Sequence, residues 1–234
     1  MKHLNLILLC ILVTILNACG GADSDDSNTT ESGYTHRVVN IVTTTGKTTY
    51  STTYSYDAKG NHTEFQTKKN DEPYSKGTLV YDKSGKLEKI DFIEGDTNGE
   101  QLFFYDDQDR LKRLEYTSYV AKVQLFKIIQ EYNYKIVGII EVDNIDPYSK
   151  QITSKNLQYF NKDNLVEKIE HILSESVVAY THEYSYSFDV NNVLIKKEVD
   201  YNGDGIANSV SEYTYEAGKC VLPPPSFTSG EFCY

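Results

Sequence analysis

The sequence predicts an all-β protein, an antiparallel meander of about seven repeated hairpins that forms a strongly twisted, rolled sheet. Three observations carry this. An aromatic residue followed by a polar turn recurs seven times at near-even spacing. Aromatic and small polar residues alternate ahead of each turn. Asp-x-x-Gly and Asn-Gly signals fall where strands must reverse.

Residues 1–18 begin with Lys2 and His3 and continue as the apolar run Leu4–Leu16, too short for a membrane span of about 20 residues, so they read as a signal peptide. The run ends in Leu16-Asn17-Ala18-Cys19, which resembles the lipobox of bacterial lipoproteins. The resemblance implies cleavage before Cys19, lipidation of that residue by fatty acyl chains such as palmitate, and, with Gly20 rather than Asp next, sorting to the outer membrane. Several acyl chains anchor durably, because each buried methylene contributes about 0.8 kcal/mol. Residues 19–36 are then the lipidated Cys and a flexible acidic tether, with a root-mean-square reach of roughly 20–25 Å.

Residues 37–222 form the repeat domain. The motif aromatics are Tyr56, Tyr81, Tyr105, Tyr134, Phe160, Phe188 and Tyr215, at steps of 25, 24, 29, 26, 28 and 27 residues. Ahead of the first turn, Tyr50, Tyr54 and Tyr56 share one face and Ser51, Thr53 and Ser55 the other, the pattern of a half-buried strand. In the turn, Asp bonds the backbone just ahead, and Gly or Asn accepts a left-handed conformation. After the turn, Leu87 and Ile90, or Leu111 and Leu114, stand three apart, and a β-bulge would return both to one face. Tyr81 and Leu87 are therefore expected in the core, Asp82 and Gly85 in the turn, and Lys86, Glu88 and Lys89 mostly in solvent. Pro73, Pro147, Asn98-Gly99 and Asn202-Gly203 are read as connectors. "RVVNIVTTT", from Arg37, adds a strand before the first unit, giving about fourteen, more than an open sheet carries without curling. Val120–Tyr132 is the best helix candidate, yet it reads like any other first strand. A membrane barrel is disfavoured, because by strict alternation Lys and Glu fall on both faces of "KLEKIDFIE".

Tyr-Asp-x-x-Gly-x-Leu at this spacing resembles the YD repeats of bacterial Rhs-type proteins, over roughly residues 48–220. In the large relatives such repeats spiral into a shell around a toxin domain. That role is not carried over: Asp146-Pro147 is followed by Tyr148 and does not match the Asp-Pro-x-Gly segment that ends such shells. Small lipoproteins with similar repeats are the nearer likeness.

Residues 223–234 form a Pro-rich tail. Cys10 leaves with the signal and Cys19 is lipidated, so Cys220 and Cys233 remain to pair as a disulfide in an oxidising compartment, a closure contributing about 3 kcal/mol.

Removing residues 1–18 takes away one Lys and no acid, so the formal charge goes from −11 to −11 − 1 = −12. This argues against nucleic acid and against direct docking on anionic lipid, and suits solubility near an anionic surface, cationic partners or divalent metals. Asp200, Asn202 and Asp204 stand at positions 1, 3 and 5 of an EF-hand-like loop, with Gly205 at 6 and the Ile206 carbonyl at 7, a candidate calcium set lacking the position-12 carboxylate. The alternative is an Asn-Gly-Asp-Gly turn. His36, His62, His171 and His182 share no ligand spacing, and no catalytic motif is present. The function expected is that of a non-enzymatic, outer-membrane-anchored lipoprotein acting as a binding or interaction module in the envelope, with a glycan or protein as possible partner. The alternatives are a structural envelope component without soluble ligand and a hydrolase of envelope polymers.

Overall fold

The computed structural model describes residues 36–162, 165–173 and 177–218. These form fourteen strands: β1 (His36–Thr45), β2 (Thr48–Tyr56), β3 (His62–Lys69), β4 (Glu72–Tyr81), β5 (Leu87–Glu94), β6 (Thr97–Tyr105), β7 (Leu111–Val120), β8 (Val123–Ile136), β9 (Ile139–Ile145), β10 (Ile152–Phe160), β11 (Val166–Ile172), β12 (Val178–Phe188), β13 (Leu194–Asp200) and β14 (Ser209–Ala217). Each pairs antiparallel with its chain neighbours, and β1 pairs with β14, so the sheet is a closed barrel. All-β, antiparallel and fourteen strands agree with the sequence; the open rolled sheet does not.

The reason for closure lies in the seventh repeat. In a complete unit the motif tyrosine faces the first apolar residue after the turn, as Tyr81 faces Leu87 and Tyr105 faces Leu111. Tyr215 has no such partner ahead of it among the described residues and faces Val38 instead, with the same register shift beyond it. The strand "RVVNIVTTT" is therefore not an addition before the first unit; it is the second strand of the last. Each edge is what the other lacks, and pairing them removes the exposed edges an open sheet would leave. The Arg37–Glu216 ion pair sits across this seam as Arg110–Asp106 sits across its own turn.

Motif turns follow the sequence logic closely. The Asp82 Oδ1 accepts from the amides of Ser84 (2.8 Å) and Lys86 (2.9 Å), and Asp57, Asp106 and Asp189 do the same two and four residues on. The fourth turn residue is left-handed in each: Gly60, Gly85, Asp109 and Asn192. Beyond the turn a register shift leaves one residue extra, Glu88 in β5 and Lys112 in β7, which returns Leu87 with Ile90, and Leu111 with Leu114, to the buried face. That shift also corrects the reading of "KLEKIDFIE". Once Glu88 is counted as the bulge, Lys89 and Asp91 share the outer face, and of the strand's charges only Glu94 turns inward.

Two connectors fall elsewhere than expected. Asn98-Gly99 lies inside β6, and the reversal is made by Gly95, at φ 54°, and Asp96. Pro73 is the second residue of β4, a position that tolerates a missing N–H. Pro147 and Asn202-Gly203 do lie in connections, and Val120–Tyr132 is strand on both sides of an Ala121-Lys122 turn. Lys86 is not simply solvated. Its ammonium pairs with Asp109 of the next turn and lies 5.8 Å from the centre of the Tyr105 ring. Gly85→Val is expected to cost about 1–2 kcal/mol through the left-handed backbone, and Lys86→Val less, because an exposed pair contributes about 0.2–1 kcal/mol. Thermal melting of both variants checks the order, and equal losses would count against the turn assignment.

An up-and-down barrel puts six hairpin turns and both barrel termini, His36 and Ala217, at one rim. Inside this motif rim a ring of aliphatics closes the core: Val38, Leu87, Leu111, Val166 and Leu194 are at most 1 % exposed. Five tyrosines then bridge neighbouring units. The hydroxyls of Tyr56, Tyr81, Tyr105, Tyr134 and Tyr186 donate to the carbonyls of Val38, His62, Leu87, Leu111 and Val166, at 2.6–2.9 Å.

Candidate functional site

Toward the opposite, distal rim the inner face turns polar. Thr43 meets Ser211 and Thr45 meets Ser209, both at 2.9 Å across the seam, and Thr52 meets Thr67 at 3.0 Å. On the far side the Gln130 amide donates to Asn144 (2.9 Å), and Asn144 donates to Ser154 (3.0 Å). Register explains the sorting. Ladder partners point to one face, so a run of Ser, Thr, Asn and Gln at the distal ends of successive strands converges on the lumen.

On the outer wall, near the distal ends of β2–β5, a cleft of about 460 Å³ opens, lined by Ser51, Thr53, Gln66, Tyr74 and Lys76 among others. Its size falls in the range of small-ligand sites, about 300–1,000 Å³. Tyr74 is the bulged residue of β4 and so escapes strict alternation. Its ring packs edge-on against Tyr50 with centroids 5.7 Å apart, its hydroxyl donates to Glu94, and Lys69 lies 5.2 Å from its centre. Burial pushes the Glu94 carboxyl above its ordinary value.

Asp200 ends β13, and Asn202 and Asp204 follow it in the connection to β14. Asp200 accepts from the amides of Asn202 (3.0 Å), Gly203 (2.7 Å) and Gly205 (2.7 Å), bonds that hold its carboxyl below the usual range. The Asn202 amide donates to Asp204, and Asp204 accepts from the Ile206 amide. The turn is thus self-satisfied, and calcium would have to share these oxygens with the loop's own N–H groups. Among the described residues no group of three or more His, Cys, Asp or Glu is arranged to hold a metal. A calcium site here predicts a calcium-specific rise in melting temperature over chelator and magnesium, lost in Asp204→Ala; a rise that the variant keeps, or none, leaves the loop a turn. Cys19, Cys220 and Cys233 lie outside the described residues, as do the signal and nearly all of the tether and tail.

The sequence reading missed a histidine pair. His171 and His182 are eleven residues apart, a spacing that signals nothing on one strand. The β11–β12 register, Ile169 opposite His182 and His171 opposite Tyr180, makes them diagonal neighbours on the inner face, with His171 Nε2 3.3 Å from His182 Nδ1. Tyr180 stacks on His171 at 4.2 Å and Tyr201 stands edge-on to His182 at 4.9 Å. Burial, first of all, lowers both imidazoles to about 4, so both are neutral at pH 7. His62 has a different part. It takes the place after the turn where other units have Leu, packs between Tyr54 and Tyr56, and is likewise lowered by burial.

No family model matches the sequence, and no curated protein matches it. Among solved structures, the chain is similar to a porin-like protein from Bacteroides uniformis ATCC 8492, at 11 % identity and a TM-score of 0.46, covering 78 % of this chain and 96 % of that one. It is also similar to a TcdB2-TccC3 chain, at 11 % identity and a TM-score of 0.32, over 78 % of this chain and 11 % of that one. A LolA superfamily protein from Nitrosomonas europaea aligns at 12 % identity and a TM-score of 0.27, over 82 % and 87 %.

Proposed function

We propose that the chain is a non-enzymatic lipoprotein of the outer membrane, a binding module whose barrel stands in water on a lipidated tether. What supports a barrel standing in water is the chemistry of its outer wall. Charged pairs recur on it around the barrel: Lys89–Asp91 (2.9 Å), Lys155–Glu141 (2.9 Å), Lys168–Glu170 (2.8 Å), Lys196–Glu198 (2.8 Å) and Arg37–Glu216 (2.6 Å). Lipid would charge about 2–4 kcal/mol for each Lys or Arg near the bilayer midplane, whereas water costs them nothing. The aliphatic and aromatic faces point inward instead. A barrel of this polarity suits an anchor separate from itself, which Leu16-Asn17-Ala18-Cys19 supplies.

The tether enters at His36, on the motif rim, so the distal rim is the end free to face away from the bilayer. The cleft near that end, with hydroxyl and amide groups beside Tyr74, supports a polar ligand of glycan or peptide type. The residue series supports kinship with YD-repeat lipoproteins. The charged wall also favours a second reading, a structural envelope component with no soluble ligand.

Cys19→Ala is expected to abolish incorporation of labelled palmitate and release the chain from the membrane fraction. A wild type that takes up no label would overturn the anchor. Ligand-detected NMR of the protein with oligosaccharides released from envelope polymers tests the binding module. Signals that vanish in Gln66→Ala and Lys76→Ala support the cleft, and no signal with glycans or peptides favours the structural reading.

A further inference from the structure

Two cross-strand imidazoles meet at the distal inner face, and the proposed binding module makes no use of them. Their facing nitrogens are 3.3 Å apart. Two zinc–nitrogen bonds of about 2.0–2.1 Å, opened at the tetrahedral angle, separate their nitrogens by about 3.3–3.4 Å. We propose that His171 Nε2 and His182 Nδ1 form a two-point site for a divalent transition metal of zinc type, its remaining positions filled by water.

Several features of the surroundings fit this. One of the two facing nitrogens carries the shared proton, so binding requires that ring to pass the proton through solvent to its other nitrogen; both lone pairs are then free for the ion, and the rings are already tilted by 60° to one another. Both rings are held by aromatic neighbours, Tyr180 on His171 and Tyr201 on His182, which fixes where their nitrogens point. Imidazole must be neutral to bind metal, and burial keeps both rings in that form down to about pH 4. The Asp200 carboxylate acts on His182 through space and favours positive charge there. His182 is buried while His171 is half-buried and Tyr180 is 41 % exposed, so the site opens on the His171 side. Borderline divalent ions prefer imidazole, whereas calcium and magnesium prefer oxygen, so this site and the Asp200 loop differ in the metal they would take.

The test uses the full-length protein in detergent, stripped with chelator. Titration with zinc is expected to show one equivalent bound, and cobalt(II) in its place to give the intense visible absorption of a tetrahedral ion. His171→Ala and His182→Ala should each weaken zinc binding by about tenfold or more, while His36→Ala leaves it unchanged. Because His182 is buried and its variant could fold poorly, His171→Gln on the more open ring serves as the second probe. Zinc binding that survives both His171 variants, or a cobalt spectrum of octahedral type, overturns the site. No binding by the wild type also overturns it, and leaves the anchor and the glycan cleft untouched, since neither rests on metal.

Discussion

Gly99→Ala is expected to lower the melting temperature of the barrel by about 6–12 °C. Gly99 lies within β6, beneath the Phe92 ring of β5. A Cβ there would stand 2.4 Å from Phe92 Cζ and 2.4 Å from the Thr117 carbonyl oxygen. Neither neighbour can yield easily. Phe92 is stacked on Tyr116 with centroids 5.1 Å apart, and Thr117 sits in the β6–β7 ladder opposite Glu100. Overpacking of this kind costs about 1–3 kcal/mol, and a backbone clash belongs at the upper end. For a domain of this size each kcal/mol shifts the midpoint by about 2–4 °C. Gly77 is the natural control. It lies under Phe65 in the same way, but its Cβ would meet only the ring closely, at 2.3 Å, with the nearest backbone oxygen at 3.2 Å. Gly77→Ala should therefore cost less. Thermal unfolding by circular dichroism measures both, and a Gly99→Ala melting point at or above that of Gly77→Ala would sink the argument.

This glycine also marks where reading the sequence fails. Asn98-Gly99 has the composition of a turn, and only the ring of Phe92 from the neighbouring strand explains a glycine in mid-strand. What was legible is local. Asp82 and Gly85 fix the turn through bonds spanning four residues, and the Leu87–Ile90 step records the bulge, so strand count and core face follow. What was illegible spans units. Closure joins residues as far apart as Arg37 and Glu216, and nothing in "RVVNIVTTT" announces that it completes the seventh unit. His171 and His182 become neighbours only through the register of β11 on β12. A periodicity of two assigns a face to each residue on one strand, but it does not say which residues of other strands share that face at the same height. The inner-face site residues were hidden for that reason, while the Asp200 loop, whose groups are consecutive, stood in plain view.

The hydroxyls of the motif tyrosines are the clearest case. Alternation explains an aromatic at Tyr56, Tyr81 and Tyr105, but Phe would serve the core as well. The hydroxyl is needed because the bulge that follows each turn interrupts the ladder and leaves the carbonyl before it in want of a donor. The tyrosine of the next unit reaches back to it: Tyr81 to His62 at 2.7 Å, Tyr105 to Leu87 at 2.9 Å. Where the motif position is Phe188, Tyr186 two residues earlier reaches Val166 at 2.7 Å instead. Replacing Tyr56, Tyr81, Tyr105, Tyr134 and Tyr186 together by Phe is therefore expected to cost about 5 kcal/mol, about 1 kcal/mol for each bond lost. Successive members of the series stand two strands or more apart, at least about 9–10 Å, where effects add to within a few tenths of a kcal/mol. The five single variants should accordingly sum to the quintuple one, read by urea denaturation. A quintuple variant as stable as the wild type would mean that water satisfies those carbonyls and that the ladder contributes packing alone. A loss much larger than the sum would mean that the bonds act as one band around the motif rim, each unit held in register by the next.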